Sequence, residues 1–251
     1  MPLRIAPIAV TLSIFLSIAL VPAHGYVRQS LDFAGFEWYI RSTEEPEGPM
    51  NNIFGGRGIG VERLEDGGLR LSITYYEGIW YAAEVFTRKS LGYGSYTFRV
   101  RTPLVELHQD AVLGLFTYSQ APGYYHREID IEVSAWGKDR KALHGQFVVQ
   151  PYTKPQNMFT FPVSALDGPA SFRMVWSAGM ISFYAWKGYG EQPPEGDPAL
   201  VASWKFTEAR SIPKPSAQVH MNLYLVNGKP PRPESGRLDV IIDGFEFKPE
   251  K

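Results

Sequence analysis

Beyond residue 60 the chain alternates apolar and polar residues with a period of two, and this pattern constrains the fold most. The runs are rich in β-branched and aromatic residues, and clusters of Gly, Pro, Asp and Asn separate them, which is typical of short strands joined by turns. Regularly spaced strands with little helical periodicity predict an all-β fold, a sandwich of two stacked antiparallel sheets. The expected strands are Leu69–Tyr75, Ala82–Thr87, Ser95–Arg101, Ala111–Tyr118, Glu128–Ser134, Leu143–Gln150, Ser171–Trp176, Ile181–Trp186, Leu200–Phe206, Val219–Leu225 and Leu238–Phe247.

Three longer loops are expected, at Thr43–Gly60, Tyr152–Pro169 and Lys187–Asp197. The third loop is rich in Gly and Pro and indicates an exposed excursion and not an interdomain linker. The sequence therefore predicts one domain over residues 26–251. The chain has no cysteine, so this domain must fold on its hydrophobic core alone, which its length allows.

The first 25 residues have the character of a secretory signal peptide. Arg4 precedes an apolar run from Ile5 to Val21, and the small-residue segment Pro22-Ala23-His24-Gly25 follows it. The alternative is an uncleaved membrane anchor, but Pro7 interrupts the run, which barely reaches the roughly 20 apolar residues that a spanning helix needs. We expect a secreted protein, extracellular or periplasmic, with no membrane contact after signal cleavage.

The charge and the aromatic content of the chain limit the class of ligand that it can bind. Lys and Arg total 25 against 26 Asp and Glu, with no block of like charge, so nucleic acid is a poor candidate partner. Aromatic residues make up 14% of the chain, including 14 Tyr and 6 Trp. Aromatic rings in excess of the core suit a ligand with flat apolar faces, such as a sugar. We expect a monomer that acts on a polysaccharide.

The segment from Glu128 to Val133 carries the chemistry. Successive side chains of a strand point to opposite faces, so Glu128, Asp130 and Glu132 share one face while the residues between them face the core. Like charges in a row oppose folding, which favours a functional explanation over a stabilising one. The alternative without a functional role is that these residues form the solvated outer face of an amphipathic edge strand.

Three carboxyl groups in this arrangement suit glycoside hydrolysis. Retaining glycosidases place two carboxyl groups roughly 5–5.5 Å apart, and inverting enzymes separate them by roughly 6.5–9.5 Å to admit a water. The Cα atoms of Glu128 and Glu132 would lie about 13 Å apart, and two long side chains that lean toward each other close much of that gap. This geometry favours retention. Mutual repulsion would raise one pKa, which keeps an acid protonated near neutral pH.

The segment Glu128-Ile129-Asp130-Ile131-Glu132 resembles the E-x-D-x-E signature of glycoside hydrolase family 16, which includes lichenases, laminarinases and xyloglucan endotransglycosylases. The resemblance implies a concanavalin A-like β-jelly-roll with a concave substrate cleft. It also implies that Glu128 is the nucleophile, Asp130 the assisting carboxylate and Glu132 the general acid/base. Other stretches similar to the family are Asn51–Phe54, Trp80–Val85, Gly92–Tyr96, Leu115–Tyr118 and Met221–Tyr224.

Several positions depart from the family pattern and put the substrate in doubt. His126-Arg127 precedes the nucleophile where lichenases commonly carry a Trp-Asp pair, and Tyr224 stands at the Trp of the family's "M-N-L-W". Ser134-Ala135-Trp136-Gly137 follows the catalytic strand in place of "F-L-G". The spacing without an extra residue is similar to that of lichenases and xyloglucan enzymes, whereas many laminarinases, agarases and carrageenases carry a bulge there.

Alternation and resemblance together nominate further substrate-binding residues. Long polar groups would bind hydroxyls and aromatic rings would stack on pyranose faces. Each has an ordinary alternative as core, loop or surface. The candidates are Asn52, Trp80, Glu84, Phe116, His126, Trp136, Gln150, Asn222 and Tyr224.

No cofactor is expected, and the histidines show no metal-ligand spacing. Asp239 and Asp243 are a candidate pair for a structural calcium, since hard oxygen ligands suit it. The leading functional hypothesis is a secreted retaining endo-β-glycosidase acting on a β-1,3-1,4 or related glucan. The alternatives are a transglycosylase with the same catalytic residues and a non-catalytic, lectin-like glucan-binding module on the same sandwich.

Overall fold

A computed structural model describes residues 29–231 and 236–250. The expected signal peptide, residues 1–25, lies outside the described residues. Within residues 29–231 and 236–250, no helix is long and apolar enough to cross a membrane. The strands are β1 (Ser30–Phe33), β2 (Phe36–Ile40), β3 (Ile53–Phe54), β4 (Val61–Arg63), β5 (Leu69–Tyr76), β6 (Ile79–Thr87), β7 (Gly94–Val100), β8 (Ala111–Tyr118), β9 (Ile129–Ser134), β10 (His144–Val149), β11 (Met158–Pro162), β12 (Ala170–Trp176), β13 (Ile181–Lys187), β14 (Leu200–Phe206), β15 (Gln218–Leu225) and β16 (Arg237–Pro249).

Twelve of these strands form one hydrogen-bonded path that curves into two layers, and β1, β2, β3 and β4 pair beside it. Its order is β11-β10-β9-β8-β15-β6-β5-β16-β7-β12-β13-β14. Strand β6 joins the layers, because its first residues pair with β5 and its last residues pair with β15. At the far ends of the path the rings of Phe159 and Trp204 stack 6.1 Å apart. The predicted all-β sandwich of antiparallel strands is confirmed, with an exception in the parallel pairing of β3 and β6.

Period-two alternation buries one face of each strand in a core between the layers. On β9 the core face is Ile129, Ile131 and Val133, each 1% exposed or less. On β15 the core face includes Val219, Met221, Leu223 and Leu225, which belong to the same apolar cluster. The opposite face of these strands is therefore free to carry polar groups, and this is the face on which the acidic residues lie.

The expected strands are confirmed in place, with Ala111–Tyr118 and Leu200–Phe206 correct at both ends. The loop expectation was wrong for Thr43–Gly60, which contains β3, and for Tyr152–Pro169, which contains β11. Strands β1, β2 and β4 were also missed. The missed strands have five residues or fewer, too few to establish a period. In β11 the flanking prolines indicated a loop, although prolines are tolerated at the ends of such an edge strand.

The core face of β10 includes a position that only glycine fits. A Cβ at Gly145 would overlap the ring of Phe161 on β11, its cross-strand partner. That ring is 3% exposed and packs 4.6 Å from the ring of Phe147. We expect Gly145→Ala to lower the free energy of unfolding by about 1–3 kcal/mol, the cost of overpacking a core.

Denaturant unfolding measures this effect, with Gly168→Ala as the control. A Cβ at Gly168 meets no atom within 4 Å. The control substitution should leave stability unchanged or raise it by up to about 1 kcal/mol, because alanine restricts the unfolded chain. Equal stability of the two variants would show that the contact between Gly145 and Phe161 is not tight.

Candidate active site

Four adjacent strands, β9, β8, β15 and β6, form the floor of a cavity of about 790 Å³. Their even-numbered residues face it, because each strand buries its odd-numbered residues in the core. The pairing registers set the floor out as two rows across the sheet. One row is Glu132, Gly114, Asn222 and Glu84, and the other is Asp130, Phe116, His220 and Phe86.

Glu128, Asp130 and Glu132 line this cavity together. Two glutamines of neighbouring β10 and the chain that follows it hold the row. Gln146 Nε2 donates to Glu132 Oε2 at 2.7 Å, and Gln150 Nε2 donates to Asp130 Oδ2 at 2.9 Å. The Tyr224 hydroxyl donates to the other oxygen of Glu132 at 3.4 Å. The row is thus oriented by hydrogen bonds from outside it.

The surroundings raise the pKa of all three carboxyl groups. Burial, followed by the negative charge of Glu132, raises the pKa of Glu128 to about 7, and a hydrogen bond from Asp130 opposes that rise. Burial and the two glutamate charges hold the pKa of Asp130 well above its usual range. Burial also raises the pKa of Glu132, against the hydrogen bonds from Gln146 and Tyr224. The row therefore retains protons near neutral pH, and Asp130 is the group that donates one to Glu128.

A left-handed turn immediately precedes Glu128. Residues 124 to 127 all have positive φ, from 50° at Tyr125 to 59° at His126. Such values are uncommon for residues other than glycine, and four in succession require external support. Thr117 Oγ1 on β8 donates to the Arg127 carbonyl at 2.8 Å, and the Ser119 amide donates to the His126 carbonyl at 2.7 Å. These bonds fix the chain just before it enters β9, and so fix the position of Glu128.

A second charged group lies on the far side of the floor. Glu84 on β6 is 4% exposed and has both oxygens occupied: His220 Nδ1 lies 2.8 Å from Oε1, and Arg41 Nη1 donates to Oε2 at 2.8 Å. Arg41 also donates to Glu47 at 2.7 Å. Although burial opposes ionisation, the hydrogen bond from His220 and the charges of His220 and Arg41 lower the pKa of Glu84. Glu84 is therefore an ionised, fully paired carboxylate.

Gly114 leaves space in the centre of the floor. It lies between Glu132 and Asn222 in the register, and a Cβ there would overlap Asn222 Oδ1. Asn222 is 2% exposed, and its Oδ1 has no hydrogen-bond partner. A buried acceptor without a partner costs free energy, so an incoming hydroxyl donor would be favoured there.

The structure brings seven of the sequence-predicted residues to the cavity, namely Glu84, Phe116, Glu128, Asp130, Glu132, Asn222 and Tyr224. It places the other five outside the lining. Gln150 contacts Asp130 from the chain that follows β10. His126 stacks on the Tyr118 ring at 4.9 Å, and Trp136 packs beside Tyr224.

The last two of these residues, Asn52 and Trp80, make contacts away from the cavity. Asn52 is 3% exposed and exchanges hydrogen bonds with the backbone of Leu225, at 2.8 and 3.0 Å. This pairing ties the loop before β3 to the end of β15. Trp80 packs against the core and lies 5.3 Å from the Tyr75 ring. Neither residue is part of the cavity lining.

The sequence reasoning missed Arg41, Phe86, Tyr118 and His220, which line the cavity, and Gln146, which orients Glu132. Alternation was a sufficient signal for most of them. Phe86 follows Glu84 by two residues, Tyr118 follows Phe116 by two, and His220 precedes Asn222 by two. No sequence pattern indicated Arg41, because it lies in an irregular segment after β2.

Asp239 and Asp243, the candidate calcium pair, are engaged by other side chains. Arg237 and Ser72 donate to Asp239, each at 2.7 Å. Arg101 and Tyr189 bind Asp243, the latter at 2.6 Å. Within residues 29–231 and 236–250, no group of three or more His, Cys, Asp or Glu could hold a metal ion. The donor set at these two residues does not fit calcium.

Comparison with solved structures shows the fold. The chain superimposes on a Bacillus licheniformis β-glucanase with a TM-score of 0.59 and 17% identity, covering 85% of this chain and 92% of that one. For a laminarinase from Flavobacterium sp. UMI-01 the TM-score is 0.61, with 13% identity over 84% and 92% of the two chains. An immunostimulatory antigen and pseudo β-1,3-glucanase of Mycobacterium tuberculosis gives 0.61, with 15% identity over 85% and 91%.

No protein-family model matches the chain, and no curated protein matches it. The chain has the jelly-roll fold that β-glucanases, lichenases and laminarinases adopt. At this level of identity the likeness concerns the fold, and the site's own chemistry must carry the functional argument.

Proposed function

We propose that this chain is a secreted, monomeric, retaining endo-β-glycosidase that hydrolyses internal bonds of a neutral β-glucan. The observation that carries the proposal is the row of Glu128, Asp130 and Glu132 along the floor of the cavity. Three buried or half-buried carboxyl groups with raised pKa values, held by donors from neighbouring strands, oppose folding and suit acid/base and nucleophilic chemistry. The shared fold with solved β-glucanases supports the same class of reaction.

The proposed reaction proceeds by two displacements. Glu128 as carboxylate attacks the anomeric carbon, and Glu132 gives its proton to the departing glycosidic oxygen. Glu132 then takes a proton from water, which attacks the same carbon and releases Glu128. Asp130 supplies a hydrogen bond that stabilises the Glu128 carboxylate before attack and after release. The raised pKa of Glu132 suits a group that must begin the cycle protonated.

The charge of the cavity favours a neutral polysaccharide. Five carboxyl groups and one arginine line it, and the arginine is paired to Glu84 and Glu47. A sulfated or uronic chain would place further negative charge beside these groups without a free cation to receive it. This is the feature that favours a glucan over carrageenan-type substrates.

Digestion of a polysaccharide panel tests the proposal. We expect barley-type mixed-linkage glucan or laminarin to be cleaved to oligosaccharides, with the β-anomer appearing first by NMR. Sulfated galactan should be cleaved at least about 100-fold more slowly, the order of magnitude that unpaired like charge imposes. Faster cleavage of agarose or carrageenan would contradict the substrate assignment, and an α-anomer formed first would contradict retention.

The same assay separates the alternatives. A transglycosylase would transfer glycosyl units to sugar acceptors, so that products longer than the substrate would appear at high oligosaccharide concentration. A lectin-like module would bind glucan without cleaving it, and the fold is shared with a pseudo β-1,3-glucanase of Mycobacterium tuberculosis, which makes that comparison worthwhile. The presence of all three acids in this chain favours catalysis.

A further inference from the structure

His220 is a buried histidine on the cavity floor to which the proposed reaction assigns no role. It lies on β15, is 5% exposed and lines the cavity. Across the sheet it pairs with Phe86 on β6 and with Phe116 on β8. Its ring stacks on Phe86 at 5.0 Å with an interplanar angle of 12°, and lies 4.9 Å from Phe116. These two rings fix the imidazole plane.

The two ring nitrogens of His220 have different environments. Nδ1 lies 2.8 Å from Glu84 Oε1, whose carboxylate is held in turn by Arg41. Because Glu84 is ionised, Nδ1 carries the proton and donates it. Nε2 is buried and has no hydrogen-bond partner. In the neutral ring Nε2 is then an acceptor, and in the protonated ring it is a donor.

The position of His220 on the floor sets what it can contact. Strand β8 separates β15 from β9, so His220 lies about 10 Å across the sheet from the row of carboxyl groups. That distance is too long for a group that touches the scissile bond. It is appropriate for a sugar unit further along the bound chain, and Asn222 Oδ1, also without a partner, faces the same cavity.

We propose that His220 binds, through Nε2, a hydroxyl of a sugar unit further along the bound chain than the two units joined by the scissile bond, and that Glu84 and Arg41 are positioning residues that fix its tautomer and ring plane. The inference rests on the proposed function. It also changes the expected role of Glu84: this residue acts on the substrate through His220, because each of its oxygens already has a hydrogen-bond partner within the protein. A buried atom left unpaired in the free enzyme gains a partner only when the glucan is bound.

Two substitutions of His220 distinguish the roles of its two ring nitrogens. The Asn side chain places an amide near Nδ1, and the longer Gln side chain places one near Nε2. His220→Asn should therefore keep the contact with Glu84 and raise the KM for mixed-linkage glucan about three- to tenfold, the effect of one hydrogen bond. Its kcat should stay within about twofold. His220→Gln should stay closer to the wild-type KM. His108→Asn is the control, since His108 Nε2 is likewise buried without a partner but lies outside the cavity lining.

A spectroscopic readout does not depend on the His220 variants folding. In the Glu128→Gln protein, which we expect to bind without cleaving, adding a β-1,3-1,4-linked glucotetraose should shift the Nε2 resonance of His220 and leave that of His108 in place. Unchanged Nε2 resonances at saturation, or an Asn variant with wild-type KM, would overturn the role of His220. If wild-type enzyme cleaves the glucan in that case, the proposed function stands; if it neither binds nor cleaves glucan, the proposed function itself fails.

Discussion

Glu132→Ala is expected to lose about 10²- to 10⁴-fold in kcat/KM on polysaccharide while retaining glycosylation by an activated aryl glycoside. A leaving group that departs without a proton does not need the general acid, so the first displacement survives. The second displacement then lacks its base, and the glycosyl-enzyme accumulates. A burst of the aryl leaving group, followed by a slow steady state, is the measurement.

Glu128→Ala should instead lose at least about 10⁴-fold on both substrates, because no leaving group replaces a missing nucleophile. Glu208→Ala is the control, since this exposed acid lies outside the cavity lining and should leave both rates unchanged. Wild-type activity in Glu128→Ala and Glu132→Ala alike would mean that the acidic strand is only a solvated face.

Asp130→Ala is expected to move the acidic limb of the kcat/KM profile to higher pH. The rate depends on Glu128 being ionised, and its pKa is about 7 with the hydrogen bond from Asp130 in place. Without that donor the Glu128 pKa rises, so a larger fraction of the nucleophile is protonated and inactive below neutrality. At pH 6 the loss should be about tenfold or more. The apparent pKa values of the profile belong to the three interacting carboxyl groups together and not to one residue. The test is therefore the difference between the profiles of the variant and the wild type.

Asp130→Asn is the matched control for this effect. An amide at this position still donates to Glu128, and Asp130 is itself protonated at neutral pH because its pKa lies well above the usual range. The acidic limb should then remain close to that of the wild type. A limb that moves to lower pH in Asp130→Asn would show that Asp130 is ionised in the wild type and raises the Glu128 pKa by its charge.

Alternation allowed the sequence to predict the fold and to place the three acidic residues on one face of the chain. The period of two predicted a strand beginning at Glu128; the observed strand β9 begins one residue later, and both Glu128 and Glu132 line one cavity. The same rule could have identified Phe86 and His220, since each lies two residues from a candidate on the same face. A prediction made from one strand alone is strong where the residues on one face of that strand are chemically unusual.

The sequence could not show which residues of other strands lie beside that row. Gln146 reaches Glu132 because β10 pairs with β9 in one particular register, and register is a property of the whole sheet. Arg41 reaches Glu84 from an irregular segment that no periodicity describes. Asn52 has the polar side chain of a ligand-binding residue, but its hydrogen bonds go to the backbone of Leu225. Side-chain chemistry alone does not distinguish these cases.

The configuration of the azide product tests the central claim most directly. With azide present, Glu132→Ala should turn over an activated β-glycoside to a β-glycosyl azide, because azide attacks the glycosyl-enzyme on Glu128 from the opposite face. Glu128→Ala, if azide rescues it, should give the α-glycosyl azide. A β-glycosyl azide from Glu128→Ala, with none from Glu132→Ala, would reverse the two roles and contradict the assignment of Glu128 as nucleophile.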